Sequence, residues 1–79
     1  MQKPDEYSTK DIGEAAALLC ASAKLLRLDG ESNFYWFVFA NRQQCQEISS
    51  KYWSSDLLVN AKSYQDSLRS LKDRLFSQR

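Results

Sequence analysis

The sequence predicts an α+β fold, with a small and mainly antiparallel three-stranded sheet and two to three helices packed on one of its faces. Three observations favour it: an alanine-rich segment with apolar residues at helical spacing (12–23), a run of strand-forming aromatic residues (34–40), and a helical stripe of leucines near the C-terminus. The predicted element order is β-α-β-β-α-(β)-α. A chain of 79 residues has room for one core, so residues 1–79 form a single domain.

The N-terminal third is predicted to form a tail and the first helix. Residues 1–6 are polar and form a loose tail that can pair as an edge strand. Ser8 with Asp11 three positions later fits a capping box, and Thr9 is the alternative N-cap. The helix then covers about 10–23. Its buried stripe is small enough to lie close to a sheet and consists of Ile12, Ala15, Ala16, Leu19 and Ala23. The side predicted to face solvent carries Glu14, Ala17 and Ala21.

A β-hairpin is predicted next. The segment 24–28 alternates as a strand does when one of its faces is buried. Asp29-Gly30 is favourable turn chemistry, because glycine tolerates a positive φ and aspartate bonds back to its own backbone. The aromatic run 34–40 then forms the second strand, after a loop of about four to five residues.

Two more helices are predicted to complete the fold. Asn41 caps the second helix, which runs to about residue 52 and turns inward Cys45, Ile48 and Tyr52. The segment 57–59 is too short to decide between a last strand and an extended linker. Asn60, or Ser63 with Asp66, caps the third helix, which reaches about residue 77. Its apolar stripe consists of Ala61, Tyr64, Leu68, Leu71 and Leu75.

The composition narrows the function classes. The absence of histidine removes the usual general base and the commonest metal ligand. Cys20 and Cys45 are predicted to be buried thiols in a reducing compartment, with a single bridge between them as the alternative. Two thiolates cannot close a tetrahedral zinc shell, so neither a metal nor a cofactor is predicted. No apolar leader or membrane-length apolar run occurs, which predicts a cytoplasmic protein without a membrane partner.

Catalysis has little basis in the sequence. Nucleophile-elbow, metalloprotease and phosphate-loop motifs are absent, and only Gly13 and Gly30 are available to cradle a phosphate. Acidic residues do cluster near the start of the first helix, where capping and dipole compensation explain Asp5, Glu6, Asp11 and Glu14. We therefore expect a protein that is not an enzyme.

Several short motifs carry a resemblance to a known family. They are Tyr7-Ser8-Thr9-Lys10-Asp11, Lys24-Leu25-Leu26, Phe37-Val38-Phe39, Leu58-Val59-Asn60-Ala61-Lys62 and Leu68-Arg69-Ser70-Leu71-Lys72. With these motifs, 7–72 resembles a family of small uncharacterised prokaryotic and phage proteins that is described only as a domain of unknown function. The resemblance implies the same element order, a prokaryotic or phage origin, and a host cytoplasm if the chain is phage-encoded. It brings no catalytic residue. Family members often have an acidic residue after the Phe-x-Phe strand, where this chain has Ala40-Asn41, so the resemblance implies no charge-based role at this position.

The outer face of the sheet is the main candidate for a binding surface. Helices on one side leave the other side uncovered, and a contiguous exposed apolar patch is typical of an interaction site. The candidate residues are Phe34, Trp36, Val38 and Arg27 on the sheet, with the off-stripe aromatics Trp53 and Phe76. The alternative is that the last helix or the tail covers this face. We expect a non-enzymatic interaction protein that binds a protein partner or forms a homodimer.

A nucleic-acid-binding module is the alternative function. Sheet aromatics can stack bases, and the last helix is basic. The residues for this role are Arg27, Phe34, Trp36, Lys62, Arg69 and Lys72. The net charge of +1 counts against it, because phosphate binding needs clustered cations.

Overall fold

The aromatic run becomes the central strand of a three-stranded antiparallel sheet in a computed structural model that describes residues 4–78. The elements are β1 (Glu6–Thr9), α1 (Ile12–Cys20), β2 (Leu25–Gly30), β3 (Tyr35–Ala40), α2 (Arg42–Trp53) and α3 (Ala61–Ser77). The strand order is β1-β3-β2. The predicted α+β class is confirmed, and 57–59 belong to the connection between α2 and α3 and not to a strand.

The first strand begins inside the segment predicted as a loose tail. Glu6 pairs with Ala40 at the start of β1, an edge strand, so the predicted pairing of this segment is confirmed; its side chain is buried, so the description of this residue as part of a loose tail is wrong. Residues 1–3 of the predicted tail lie outside the described residues. Thr9 ends the strand, and the capping box prediction is also wrong, because Asp11 is the N-cap and its Oδ1 accepts the Glu14 N–H at 2.8 Å.

The first helix is shorter than its pattern predicts, because it ends at Cys20. Ser22 takes a left-handed conformation with a φ of 75°, and the Ala23 N–H donates to the Leu18 carbonyl at 2.9 Å. A residue in this conformation terminates a helix while the carbonyls of the last turn remain bonded. Ala23 therefore reaches the core from the connection to β2.

The core surrounds α1 on several sides. The alanines of α1 pack with Phe37 and Phe39 of β3 and with Leu71 of α3. α1 also contacts α2 and β1. The expectation that Glu14 and Ala17 face solvent is wrong, because a helix enclosed by a sheet and two helices has little solvent face left; Glu14 is 4% exposed and Ala17 is 1% exposed.

The predicted caps of the other two helices are confirmed. The Asn41 side chain accepts the Gln44 N–H at 3.2 Å, and Asn41 itself has a left-handed φ of 67°. Of the two candidates for α3, Asn60 is the cap and accepts the Ser63 N–H at 2.9 Å. Asparagine tolerates the left-handed region better than most residues, which fits its place at the sharp turn from β3 into α2.

Gly13 lies where α2 and α3 meet the first turn of α1. The Tyr64 hydroxyl donates to the Gly13 carbonyl at 3.1 Å. A Cβ atom built on Gly13 would lie 2.5 Å from the Tyr52 hydroxyl, which is closer than van der Waals contact allows. The missing side chain of Gly13 therefore permits both tyrosines to approach α1.

We predict that Gly13→Ala lowers the free energy of unfolding, although alanine favours a helix interior by about 1 kcal/mol over glycine. The added methyl group has to displace Tyr52. In a Tyr52→Phe background the hydroxyl is gone, so the same change becomes neutral or stabilising, with a coupling of about 1 kcal/mol or more. Urea unfolding of the four variants in this cycle measures the coupling. Equal effects of Gly13→Ala in both backgrounds would contradict this account.

Candidate functional site

The outer face of the sheet, on the side away from the helices, is less apolar than the sequence predicts. Val38 is at its centre, with Ser8 of β1 and Arg27 of β2 as its lateral neighbours. Its side chain is only 1% exposed in the isolated chain. The prediction that Val38 contributes to an exposed surface is therefore wrong.

Arg27 forms a strap across this face. Its Nη1 and Nη2 atoms donate to the two carboxylate oxygens of Glu6 at 3.0 and 2.9 Å, and its Nε donates to Asp29 at 3.0 Å. Glu6 is on β1 and Arg27 on β2, at opposite edges of the sheet, so the side chain has to cross β3. The hydrogen bonds to Glu6, then those to Asp29, raise the pKa of Arg27 further above its ordinary value. Arg27 is thus committed to the fold of its own chain.

A β-bulge places Arg27 in this position. The pairing of β2 with β3 shifts between Leu25 and Arg27, so that Leu26 is the extra residue. Without the bulge, the side chains that follow Leu26 would exchange faces of the sheet. The bulge therefore sends Arg27 to the outer face and Leu28 to the core.

We predict that Arg27→Met lowers the melting temperature more than Lys62→Met does. The first change removes a two-pronged partner from the buried Glu6 carboxylate, and burying a charge without its partner is costly. The matched change removes the exposed Lys62–Asp66 pair at 3.1 Å, which is worth only about 0.3–0.5 kcal/mol. Thermal unfolding followed by circular dichroism compares the two, and equal melting temperatures would contradict the strap.

Phe34 and Trp36 stay partly accessible at the hairpin end of the sheet. Their rings meet edge to face, with centroids 5.3 Å apart and an interplanar angle of 73°. The Lys10 ammonium lies 5.0 Å from the centroid of the Phe34 ring, in a cation–π arrangement. Both aromatic side chains are half-buried, so this end of the sheet keeps part of the aromatic surface that the sequence predicts.

A cleft of about 530 Å³ opens beside Phe34, and we call it the Phe34 cleft. Its apolar lining comes from α1, the hairpin loop, β3 and α3, and its polar rim comes from Lys10, in the connection between β1 and α1, and from the hairpin loop. The lining residues are Lys10, Ile12, Glu31, Ser32, Asn33, Phe34, Tyr35, Phe37 and Leu75. The Tyr35 hydroxyl donates to the Gln78 carbonyl at 3.0 Å and ties the hairpin to the end of α3.

Exposed apolar side chains also occur at the end of α2 and in the connection between α2 and α3. Trp53 is 61% exposed, Leu58 is 92% exposed and Val59 is also exposed. We call these three residues the connection patch. The Trp53 ring meets the Tyr52 ring edge to face, with the two centroids 4.9 Å apart, and this contact supports the indole from one side.

Hydrogen bonds order the backbone on both sides of Leu58 and Val59. The Lys51 carbonyl accepts the N–H groups of Asp56 and Leu57 at 2.8 and 3.1 Å. The Ser54 hydroxyl donates to the Asp56 carboxylate at 2.9 Å, and Asn60 then starts α3. Leu58 therefore lies between two hydrogen-bonded parts of the connection, and this restraint lowers the conformational entropy lost on binding.

The remaining predicted site residues are dispersed. Phe76 is 71% exposed in the last turn of α3, whereas Trp53 is the last residue of α2. Lys62 donates to Asp66 at 3.1 Å. Arg69 and Lys72 are exposed on α3, and Arg69 shares a shallow groove with Asp66 and other alternating charges.

A buried polar cluster around Glu14 escaped the sequence analysis. The Glu14 carboxylate accepts hydroxyl hydrogen bonds from Tyr7 at 2.5 Å, Ser49 at 2.6 Å and Thr9 at 2.7 Å. Burial, and then the hydrogen bond to Glu14, raise the pKa of Tyr7. The donors come from β1 and α2, far apart in sequence, so the helical spacing of Glu14 alone could not reveal them.

We predict that the Tyr7 hydroxyl ionises above the ordinary tyrosine pKa of 10.0, so that Tyr7→Phe removes one late-ionising tyrosine. Because the folded pKa is raised, its contribution to stability is complete below pH 10 and is lost as the pH rises through the raised value. Glu14→Gln removes the neighbouring charge and shifts this ionisation to lower pH. Ultraviolet titration of tyrosinate in the three proteins tests this, and an unchanged late phase in Tyr7→Phe would contradict it.

The cysteines are unpaired, as the main interpretation of the sequence predicts. Cys45 is fully buried and Cys20 half-buried. Burial, with the nearby charges of Glu14 and Asp5, raises the pKa of Cys45 to about 11. Its thiol is therefore protonated at neutral pH and unsuited to nucleophilic chemistry.

Neither a metal-binding cluster nor a membrane-spanning helix occurs in the described part of the chain. Among residues 4–78, no three or more His, Cys, Asp or Glu side chains come together as a metal site would require. In the same stretch, no helix has the length and apolar character to cross a membrane.

The fold and its surfaces define a class of protein. It is a small α+β protein whose helices lie on one side of the sheet, whose other side is crossed by Arg27, and whose apolar surface is found in the Phe34 cleft and the connection patch. A family model described as "Domain of unknown function (DUF5659)" matches residues 4–77. The chain therefore belongs to the DUF5659 family, which confirms the resemblance to a family of unknown function. No curated protein and no solved structure matches the chain.

Proposed function

We propose that this protein is a non-enzymatic binding module whose main contact with a protein partner is the connection patch. The observation that carries the proposal is the nearly complete exposure of Leu58, in the hydrogen-bonded connection that follows the exposed Trp53. Large apolar side chains that are held rigidly outside the core are typical of binding hot spots. Phe34 and Trp36 form a second, smaller aromatic surface at the hairpin end.

This proposal moves the partner surface away from the centre of the sheet. Arg27 is used by Glu6 and Asp29, and Val38 is buried, so the outer face offers a partner little apolar area between its ends. Leu58 and Trp53 offer apolar area next to hydrogen-bonded backbone, so that binding them costs little further conformational entropy.

The nucleic-acid alternative receives less support from the same contacts. Arg27 and Lys62, two of the cations it requires, each bond to carboxylates of their own chain. Phosphate contacts by these side chains would require breaking those pairs. A prokaryotic or phage origin remains part of our proposal, and so does a reducing, cytoplasmic compartment, which the unpaired Cys20 and Cys45 support.

We predict that a photocrosslinking amino acid at position 58 traps a defined protein in extracts of the source organism, and that the same amino acid at the exposed position 65 does not. The trapped protein, once identified and purified, should bind the wild-type chain and Gln65→Lys equally. Leu58→Lys should weaken binding by about 2 kcal/mol or more, roughly thirty-fold, as expected for a hot spot.

Equal binding by Leu58→Lys would exclude the connection patch as the contact surface. Tight binding to single-stranded nucleic acid that falls steeply with added salt and depends on Arg69 and Lys72 would favour the alternative function instead. Circular dichroism of each variant confirms that it is folded before binding is measured.

A further inference from the structure

We infer that the connection patch of one copy inserts into the Phe34 cleft of a second copy, so that the chain associates with itself. The inference rests on the proposed function and names the partner as another molecule of this protein. Its basis is the presence, on a single chain, of a projecting apolar surface and a depression with matching chemistry.

The projecting surface needs a concave partner. Leu58 is 92% exposed, so almost none of its side chain is covered by its own chain. A side chain that projects this far is removed from water completely only inside a depression, because a flat or convex surface covers one side of it. If two connection patches faced each other, part of each Leu58 side chain would remain exposed to solvent.

The Phe34 cleft provides such a depression. Its volume of about 530 Å³ falls within the usual range of ligand-binding clefts, roughly 300–1,000 Å³. Ile12, Phe37 and Leu75 give it an apolar lining, which suits an aliphatic and an indole side chain. Phe34 lies at its edge, already covered on one side by Trp36.

The charges beside the two surfaces are complementary. Lys10 and Glu31 line the cleft. Lys51 precedes Trp53, Asp56 lies between Trp53 and Leu58, and their backbones are close because the Asp56 N–H donates to the Lys51 carbonyl. An inserted patch can therefore place Lys51 against Glu31 and Asp56 against Lys10, with opposite charges at both contacts.

The two surfaces lie at opposite ends of α3. Leu58 and Val59 precede the first residue of this helix, and Leu75 belongs to its last turns. At a rise of 1.5 Å per residue they are roughly 20 Å apart. A patch therefore cannot fill the cleft of its own chain. Because each chain carries both surfaces, the contact either repeats from copy to copy into rings or open chains, or occurs twice across a two-fold axis.

The test uses one variant for each surface. Leu58→Lys disables the patch, and Ser32→Trp fills the cleft from an exposed loop position without altering the core. Gln65→Lys is the control for an added charge at an exposed site. Sedimentation velocity over a range of concentrations measures the mass of each protein and of an equimolar mixture of the two variants.

We expect the wild-type chain and the control to associate into dimers or larger species as concentration rises, and each variant alone to stay monomeric. The mixture should form a dimer and nothing larger, because it contains one intact patch and one intact cleft. The dissociation constant for self-association of the Leu58→Lys protein should be at least about thirty-fold higher than that of the wild type.

A charge exchange gives an independent readout. Lys51→Glu alone and Glu31→Lys alone should each weaken association several-fold, because each puts like charges together. The chain carrying both changes should associate within about three-fold of the wild type. A double variant that is as weak as the two single changes combined would contradict the proposed pairing.

The other outcomes separate this inference from the proposed function. If Ser32→Trp associates like the wild type while Leu58→Lys does not, the patches pair with each other and the cleft assignment is wrong. If the wild-type chain is a monomer at every concentration but position 58 still traps a different protein, the binding function holds and self-association is wrong. If Leu58→Lys changes neither association nor trapping, both fail.

Discussion

The close packing of α1 is the constraint on which the rest of this structure depends. A helix built from alanines, with Gly13 in its first turn, can contact the sheet, α2 and α3 together. Small side chains bring backbones close, but they leave little apolar area per residue, so the large residues of the neighbours have to supply it. Phe37, Phe39 and Leu71 do so, and all three are buried.

That enclosure explains why a carboxylate is buried in so small a core. Once α1 has neighbours on several sides, Glu14 has no route to solvent, and its charge needs hydrogen bonds to be tolerated. Hydroxyls from β1 and α2 provide them. The same cluster links the first strand to the second helix, so a polar group contributes to the specificity of the arrangement as well as to its stability.

Placing every helix on one side of the sheet also determines where the accessible surfaces lie. The outer face is covered at its centre by the Arg27 strap, which keeps Val38 from water. Apolar surface is therefore left at the periphery, in the Phe34 cleft and in the connection patch. Spacing predicts that Trp53 and Phe76 lie off the helical stripes, and both are exposed, Trp53 at the end of α2 and Phe76 in the last turn of α3.

The sequence by itself determined the fold class, the central aromatic strand, the caps at Asn41 and Asn60, and the family, because these depend on local preferences and short-range spacing. Tertiary structure alone decided the burial of Glu6, Glu14 and Val38 and the position of Arg27. Each of these depends on a partner from a distant part of the chain or on a one-residue bulge. A periodic pattern gives the face on which a side chain lies, but what covers that face is decided by how the elements pack.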